Sequence, residues 1–269
     1  MDQGPIKRPQ FFFTTAPMPC PYIDGRLERK VVTDISGPDA VGLHENLSRA
    51  GFRRSHTIAY APVCPGCNAC VPVRIRAKEF QRRRTLNRIW EANGDLRAKL
   101  VEAKATVEQF HLFMQYQQHR HGESDMALMG FFDYRSMVEE SPIETQMVEF
   151  RDDTGVLIAA CLLDNVADGT SAVYSFFDTT LPAKRSLGTF MILWLIEHTV
   201  RSELDFVYLG YWIENSRKMA YKERFKPLDL FGPEGWTDFD ARTKTEATAP
   251  DRDRSLDLIR TSAFSAMQQ

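Results

Sequence analysis

The chain has 269 residues, of which 26% are charged and 43% hydrophobic, and its formal net charge is −2. These values exclude a disordered, collagen-like or disulfide-stapled chain, and the length allows one large domain or two modest ones. The near-neutral sum hides two opposite parts: residues 1–104 hold 18 Lys and Arg against 10 Asp and Glu, whereas residues 105–269 hold 16 against 26. Seven of the basic residues lie between Arg74 and Arg88. Such a stretch is typical either of a solvated helix face or of a surface that attracts RNA.

Targeting signals are absent from the sequence pattern. The N-terminus has no extended apolar segment, so we expect no secretory signal peptide. The longest strongly apolar run, Phe190 to Ile196, is far shorter than the ~20 residues that a membrane span requires. The five cysteines are an odd, unevenly clustered set, which favours reduced thiols over a disulfide framework. We therefore expect a cytoplasmic protein with no membrane partner.

The first part of the chain predicts a small α+β module. Residues 11–30 are rich in Pro and turn formers and predict loops or short strands. A helix from Pro38 to Arg49 is followed by a glycine, and strands are expected at His56–Tyr60 and Val71–Ile75. The segment Arg82–Leu100 predicts a helix, at least in part.

The second part predicts helices alternating with strands. Thr106 and Gln109 have the spacing of a capping box for a helix at Val107–His121. Further elements are expected in this order: strands Gln146–Phe150, Val156–Leu163 and Ala172–Phe177, an apolar helix Gly188–Arg201, a strand Phe206–Leu209, a short helix Asn215–Arg224, and a polar tail.

A cysteine cluster separates the two strands of the first part. Cys64, Cys67 and Cys70 follow one another at two-residue spacing, with Pro and Gly between the first two. This spacing suits a metal-binding knuckle for zinc or an iron–sulfur cluster, with Cys20 as a fourth ligand. The alternative is a tight turn whose thiols are simply small buried side chains.

Three further segments allow a functional or a purely structural interpretation. The loop Lys184–Phe190 precedes an apolar helix, where backbone N–H groups could bind a phosphate, or it could be an ordinary helix start. The segment Tyr208–Lys222 combines aromatic and basic residues; Lys218 and Lys222 are four residues apart and are expected on one helix face. The string Tyr116–His121 could supply acid–base chemistry or simply end a helix with cations.

Taken together, these segments resemble the aminoacyl-tRNA–protein transferase family of the arginyl-transferase superfamily, and more closely its bacterial leucyltransferase branch. The resemblance covers about residues 11–235. The matching strings are FFFTTAPMPCPYIDGR, YAPVCPGCNACVPVRI, YQQHRH, YSFFD, SLGTF and YLGYWIENSRKMAYKERFKP.

The resemblance implies the fold and the reaction. The expected fold is α+β (mixed α/β): an N-terminal Cys-bearing module at 1–104, a GNAT-like acyltransferase domain with a mixed, mostly antiparallel sheet at 105–240, and a tail at 241–269. The expected reaction belongs to the N-degron pathway and transfers leucine from leucyl-tRNA to the α-amine of proteins that begin with Asp or Glu. It requires no cofactor and involves no DNA; zinc or an iron–sulfur cluster is expected only at the cysteines.

The candidate residues follow from this reaction. A general base is sought at His119, Asp178 or Glu214. Cations for the acceptor's acidic side chain are Arg74, Arg76, Arg120, Lys218 and Lys222, and an apolar pocket for the leucyl group would use Phe176, Phe177, Tyr208 and Trp212. Contacts with tRNA are expected from Arg82, Arg83, Arg84, Arg88, Lys184, Arg185 and Gly188.

Three rival functions remain compatible with the pattern. An arginyl-tRNA–protein transferase would act on the same acceptors. A GNAT acetyltransferase using acetyl-CoA would share the second half, and an RNA-binding adaptor with a metal knuckle would share the first.

Overall fold

The computed structural model describes residues 9–122, 124–216 and 218–241. The predicted tail therefore lies outside the described residues, apart from Ala241. The described residues form these strands: β1 Phe13–Thr14, β2 Met18–Pro19, β3 Leu27–Glu28, β4 Lys30–Asp34, β5 Arg53–Ser55, β6 Ile58–Pro62, β7 Val71–Arg76, β8 Arg97–Glu102, β9 Thr145–Arg151, β10 Leu157–Val166, β11 Gly169–Phe177, β12 Phe206–Trp212, β13 Leu228–Gly232 and β14 Gly235–Asp238. The α-helices are α1 Ala40–Arg49, α2 Arg84–Glu91, α3 Val107–His121, α4 Phe131–Glu139 and α5 Leu187–Arg201.

A small antiparallel sheet forms the N-terminal part, in the order β1-β4-β6-β5. Alternate residues of its strands point to one face, where Val31 and Ala59 pack with Leu47 of α1 and with Phe52 in a buried apolar cluster. On the other face, Phe13, Val32, Tyr60 and Arg53 form one cross-strand row, because each is paired in register with the next. The row ends at Arg53, on the strand that approaches the large sheet.

The large sheet has eight strands in the order β14-β13-β7-β12-β11-β10-β9-β8. Its neighbouring strands are antiparallel except for β11 and β12, which are parallel and connected through helix α5. This confirms the predicted mixed, mostly antiparallel sheet. The sheet contains β7 and β8 as well as the later strands, so it draws residues from both sides of position 104.

Helices cover both faces of the large sheet. Strand β10 shows this by alternation: Ala159, Cys161 and Leu163 pack in a core that includes α5 and α2, whereas Ala160 and Leu162 pack in a second core with α3 and α4. Burial on both faces explains why this strand is a nearly continuous apolar run.

Local signals predicted several elements correctly. Helix α3 begins at Thr106 with the expected capping box, in which the Thr106 side chain accepts from the Gln109 backbone and the Gln109 side chain accepts from the Thr106 backbone. Helix α5 and the hairpin of β9 and β10 also lie where predicted.

One predicted segment is partly helical, and one predicted helix is wrong in part. The segment Arg82–Leu100 is helical in α2, continues through a turn, and ends in β8, which completes the edge of the large sheet beside β9. The helix predicted at Asn215–Arg224 is reduced to a 3₁₀ turn at Ala220–Arg224. No helix in the part of the chain that the structure describes is long and apolar enough to cross a membrane.

Candidate active site

The parallel strands β11 and β12 separate soon after they begin. Among the described residues they pair only from Gly169 to Ser171, opposite Phe206 to Tyr208. Beyond this point β11 continues with β10, and β12 continues with β7. The separation leaves a gap between the carboxyl ends of the two strands, and the groups that line it are described next.

Arg53 of the small sheet reaches into this gap. Its guanidinium donates to the Ser171 hydroxyl (3.1 Å) and to the backbone carbonyls of Ala172 and Val173. Gly210 of β12 lies against the same side chain, since a Cβ placed there would be 2.9 Å from Arg53 Nε. Arg53 thus occupies positions where β12 would otherwise pair with β11.

Lys222 lies buried on the β12 side of the gap. Its Nζ donates to the backbone carbonyl of Tyr211 and lies 3.4 Å from Met219 Sδ. Burial, and then the positive charge of Arg53, lower the pKa of Lys222 to about 7, while Cys70 opposes the shift. A neutral amine at this position keeps a lone pair that can accept a proton.

Buried polar groups of α3 and β11 lie on the other side. Gln117 donates to the Tyr174 hydroxyl, and its own Oε1 has no hydrogen-bond partner among the described residues. Tyr221 lies nearby and keeps 38% of its surface exposed. Partial desolvation of its phenol, and then the neighbouring Tyr116, raise its pKa to about 12. Tyr116 also contributes to the raised pKa of Tyr174, so it lies within electrostatic reach of both phenols.

The three predicted bases lie outside this cluster of buried groups. His119 is exposed on the last turn of α3, and Glu214 is exposed in the turn after β12. Asp178 is half-buried, but its carboxylate accepts from the backbone N–H (2.8 Å) and hydroxyl (2.7 Å) of Thr180 in the turn that follows β11. That interaction stabilises the turn.

The predicted substrate cations divide into two groups. Arg74 is ion-paired with Asp229 (3.1 Å) and Arg76 with Asp238 (2.6 Å), so both stabilise the β7–β13–β14 edge. Arg120 is exposed, with its guanidinium carbon 5.8 Å from the centre of the Phe177 ring. Lys218 is exposed whereas Lys222 is buried, so the prediction that they share a helix face is wrong; the intervening backbone is a turn.

The four residues predicted to form a leucyl pocket do not converge. Phe176 is buried in the core beneath α3 and α4, whereas Trp212 belongs to the core beneath α5. Tyr208 lies near the start of β12 and donates to Asp168. Only Phe177, which packs against Tyr116 with ring centres 5.0 Å apart, borders the gap.

The predicted tRNA-contacting residues have different environments. Arg83, Arg84, Arg88 and Lys184 are exposed. Arg82 is ion-paired with Glu197 (2.9 Å), and Arg185 with Asp95 (2.6 Å), so these two side chains hold elements together. Gly188 lies in the first turn of α5, where a Cβ would make only an ordinary 3.5 Å contact with Phe177.

The four cysteines predicted as metal ligands lie near one another. Cys20, Cys64, Cys67 and Cys70 are free thiols. Burial, and then the proximity of the other three thiols, raise the pKa of Cys70 to about 12. The Cys64 sulfur lies within hydrogen-bond distance of the backbone of Arg29, 3.4 Å from its nitrogen and 3.6 Å from its oxygen. Among the described residues, no three His, Cys, Asp or Glu side chains are grouped to hold a metal ion.

Comparison with known proteins decides the family. Residues 18–88 match the family described as "Arginine-tRNA-protein transferase, N terminus", and residues 108–232 match the corresponding C terminus. A relative from Rhodospirillum rubrum, named aspartate/glutamate leucyltransferase, is 70% identical over 90% of this chain and 98% of its own length. The chain belongs to the arginine-tRNA–protein transferase family, in its aspartate/glutamate leucyltransferase branch. This confirms the resemblance drawn from the sequence strings.

A second relative and two solved structures are also similar to the chain. A second leucyltransferase, from Paramagnetospirillum magneticum, is 65% identical over 89% of this chain and 98% of its own length. Among solved structures, FemX has a TM-score of 0.45 and 7% identity, covering 78% of this chain and 81% of FemX. L-PGS from Bacillus licheniformis has a TM-score of 0.43 and 10% identity, covering 56% of this chain and 49% of L-PGS.

Sequence reasoning about this leucyltransferase-family chain missed Arg53, Gln117 and Tyr221. One signal was available for the first of these. Arg53 and Arg54 are consecutive, and in a strand such a pair points to opposite faces, so a strand at this position places one of the two on a packed face. Gln117 and Tyr221 carry no such signal, because their surroundings depend on contacts between distant elements.

Proposed function

We propose that this chain is an enzyme that transfers leucine from leucyl-tRNA to the α-amine of proteins that begin with Asp or Glu, which marks them for degradation in the N-degron pathway. The names and identities of the relatives support the substrates. The observation that carries the chemistry is the buried amine of Lys222, beside the gap between β11 and β12.

The reaction is the aminolysis of an ester. The acceptor's α-amine attacks the leucyl carbonyl carbon, a new C–N bond forms, and the bond from that carbon to the ribose oxygen breaks. One proton must leave the amine and one must reach the ribose oxygen, so a single group can accept the first and return the second. The aminoacyl ester is already activated, and for this reason the reaction needs no cofactor.

Lys222 is our candidate for the proton acceptor. The two hydrogens of the neutral Lys222 amine are directed at the Tyr211 carbonyl and the Met219 sulfur. Its lone pair therefore points in a third direction and is free to accept a proton. A pKa of about 7 matches a base that works near neutral pH. Lys222 was predicted as a substrate-binding cation, and we now assign it the role that was sought at His119, Asp178 or Glu214.

The acceptor's carboxylate needs a cation that is not already paired. Arg74 and Arg76 are engaged with carboxylates of the chain, which leaves Arg120 and Lys218 of the predicted set. We place the acceptor's acidic side chain at Arg120, because it lies near Phe177 and Tyr116 at the rim of the gap and offers a planar, bidentate donor.

The donor tRNA would approach along α2. Arg83, Arg84 and Arg88 are exposed there, and the segment after α2 is joined to the turn before α5 through the Asn93 side chain and the Arg185 backbone (2.7 Å). The exposed cations thus lead toward the loop that follows β11. Because the donor is an aminoacyl-tRNA, we place the reaction in the cytoplasm.

A transfer assay tests the proposed function. The protein is incubated with radiolabelled Leu-tRNA, Arg-tRNA or acetyl-CoA and with peptides that begin with Asp, Glu or Lys. We expect label from Leu-tRNA on the Asp and Glu peptides only, and none on an Asp peptide whose α-amine is acetylated. Transfer from Arg-tRNA would assign an arginyltransferase instead, and tRNA-independent transfer from acetyl-CoA would assign an acetyltransferase.

A further inference from the structure

Arg53 is a residue of the small N-terminal sheet whose side chain reaches the centre of the large one. Its position on β5 is set by the row that joins it through Tyr60 and Val32 to Phe13. The Tyr211 hydroxyl supports the same approach, since it donates to the carbonyls of Tyr60 (3.2 Å) and Gly51 (3.3 Å). The two sheets are therefore held together at the point where Arg53 enters the gap.

The chemistry of the gap suits an arginine. The carbonyls of Ala172 and Val173 have no partner on β12 among the described residues, and leaving such groups unpaired in the interior is unfavourable. A planar guanidinium has five N–H donors and can satisfy both carbonyls and the Ser171 hydroxyl together, which one ammonium on a flexible stem does less well. Gly210, with φ of +73°, provides the space on the opposite strand.

The same guanidinium acts on Lys222 through its charge. Arg53 is the cation that lowers the pKa of Lys222, after burial itself. At Tyr221 the same charge opposes the rise in pKa that desolvation causes. The other titratable groups that act on Lys222 or on its immediate neighbours are thiols, phenols and one carboxylate: Cys70, Cys161, Tyr22, Tyr60, Tyr116, Tyr211, Tyr221 and Glu28. Burial raises the pKa of the Cys70 and Cys161 thiols to about 12, so both are neutral near pH 7. Glu28 acts on Tyr22 and Cys70.

We propose that Arg53 is a positioning residue of the transfer reaction, which holds β11 and β12 apart where the acceptor amine meets the ester and places a fixed positive charge beside Lys222. The proposal rests on the proposed function and assigns the N-terminal sheet a direct part in the transfer centre. The positive charge of Arg53 favours the neutral amine of Lys222. The hydrogen bonds of Arg53 to Ser171, Ala172 and Val173 hold β11 in position beside the gap.

Three variants separate the charge of Arg53 from its geometry. Arg53→Met removes both, Arg53→Lys keeps the charge, and Gly210→Ala keeps the arginine but places a methyl group 2.9 Å from its Nε. The readout is the single-turnover rate of leucyl transfer to one Asp peptide between pH 5.5 and 9. Because every variant uses the same acceptor, the titration of the acceptor's own amine contributes equally to all profiles.

The wild type is expected to lose rate as pH falls through about 7. Arg53→Met should move this acidic limb of the pH profile to a pH about one unit higher, because a repelling charge is gone. That shift alone should lower the rate at pH 7 about 5-fold. Arg53→Lys and Gly210→Ala should lower the maximal rate while the limb stays in place. Arg135→Met, in an exposed ion pair on α4, is the matched control and should match the wild type.

The outcomes distinguish this proposal from the proposed function. The first case assumes that the wild type loses rate at low pH and that Lys222→Met abolishes this pH dependence. If Arg53→Met then folds and keeps the pH dependence of the wild type, Arg53 has no positioning role. If the wild type transfers no leucine, or if Lys222→Met keeps the limb, the proposed function or its base is wrong instead. Should Arg53→Met fail to fold, Gly210→Ala decides: a wild-type rate in that variant would overturn the proposal.

Discussion

Lys222 has consequences for stability as well as for chemistry. Its pKa is about 7 in the folded chain and about 10.4 in an unfolded one. Between these pH values the unfolded chain binds one proton more than the folded chain, so the free energy of unfolding rises as pH rises from about 7 to about 10. The buried amine therefore reduces stability near neutral pH, which is typical of a site where function opposes stability.

Replacing Lys222 by Met should separate these two effects. Met has a similar length and no charge, so we expect the single-turnover transfer rate to fall by about 10²–10⁴-fold, the usual contribution of a general base. The free energy of unfolding at pH 7 should stay the same or rise, and its increase between pH 7 and 10 should flatten. Urea unfolding at several pH values measures the second effect.

The control is Lys104→Met, at an exposed lysine that precedes α3. It should change neither the transfer rate nor the slope of stability with pH. A Lys222→Met variant that transfers leucine at the wild-type rate would remove the base from this residue.

At the scale of elements, a buried charge network joins the small sheet to the large one. Arg54 donates twice to the Asp164 carboxylate of β10, with both distances 2.7 Å, and Thr145 of β9 donates to the same carboxylate at 2.7 Å. His44 of α1 lies 3.7 Å from it. Burial, followed by the repulsion of Arg54 and Arg53, lowers the pKa of His44 to about 4 despite Asp164.

Breaking one partner of this network should be costly. Arg54→Met leaves Asp164 buried without its main partner, and we expect a loss of about 3–5 kcal/mol in the free energy of unfolding. The double variant Arg54→Met/Asp164→Leu should recover part of that loss, since no charge is then left unpaired. Urea unfolding measures both.

An exposed ion pair offers the matched comparison. Arg135 and Glu139 are 2.9 Å apart on the surface of α4, and Arg135→Met should cost no more than about 1 kcal/mol. Equal losses for Arg54→Met and Arg135→Met would mean that the buried network does not join the two sheets.

The elements also show where local patterns fail. The segment around β8 has a helical composition, yet it forms the edge of the large sheet because β9 offers a free partner. The capping box of α3 was predictable because its two reciprocal hydrogen bonds lie within four residues. Long-range pairing can override a propensity, but it does not alter contacts of this kind.

At the scale of the whole molecule, the uneven charge of the sequence becomes a specific surface. The basic run from Arg74 to Arg88 divides in the structure: Arg74, Arg76 and Arg82 are ion-paired, whereas Arg83, Arg84 and Arg88 are exposed on α2 and its start. Only the exposed part has charge left for a polyanion.

The triple variant Arg83→Gln/Arg84→Gln/Arg88→Gln should therefore weaken binding of aminoacyl-tRNA. Each phosphate contact that is lost should reduce the slope of log Kd against log salt concentration by about 0.7–0.9. Fluorescence anisotropy of labelled tRNA between 50 and 300 mM salt measures the slope. The single variant Arg82→Gln is the comparison, because Glu197 already neutralises that side chain, and its slope should change less than that of Arg83→Gln. An unchanged slope in the triple variant would exclude α2 as the tRNA surface.

The sequence by itself determined the family, the reaction that we propose and the elements with strong local signals, since motif strings, capping boxes and apolar runs depend only on nearby residues. It could not tell paired from free cations: Arg82 and its partner Glu197 are 115 positions apart. The tertiary structure alone decided that β11 and β12 separate, that Arg53 of a distant strand enters their gap and that Lys222 is buried beside it. The reason is physical, because burial and the neighbouring charges that set the protonation of an amine are properties of the packed chain.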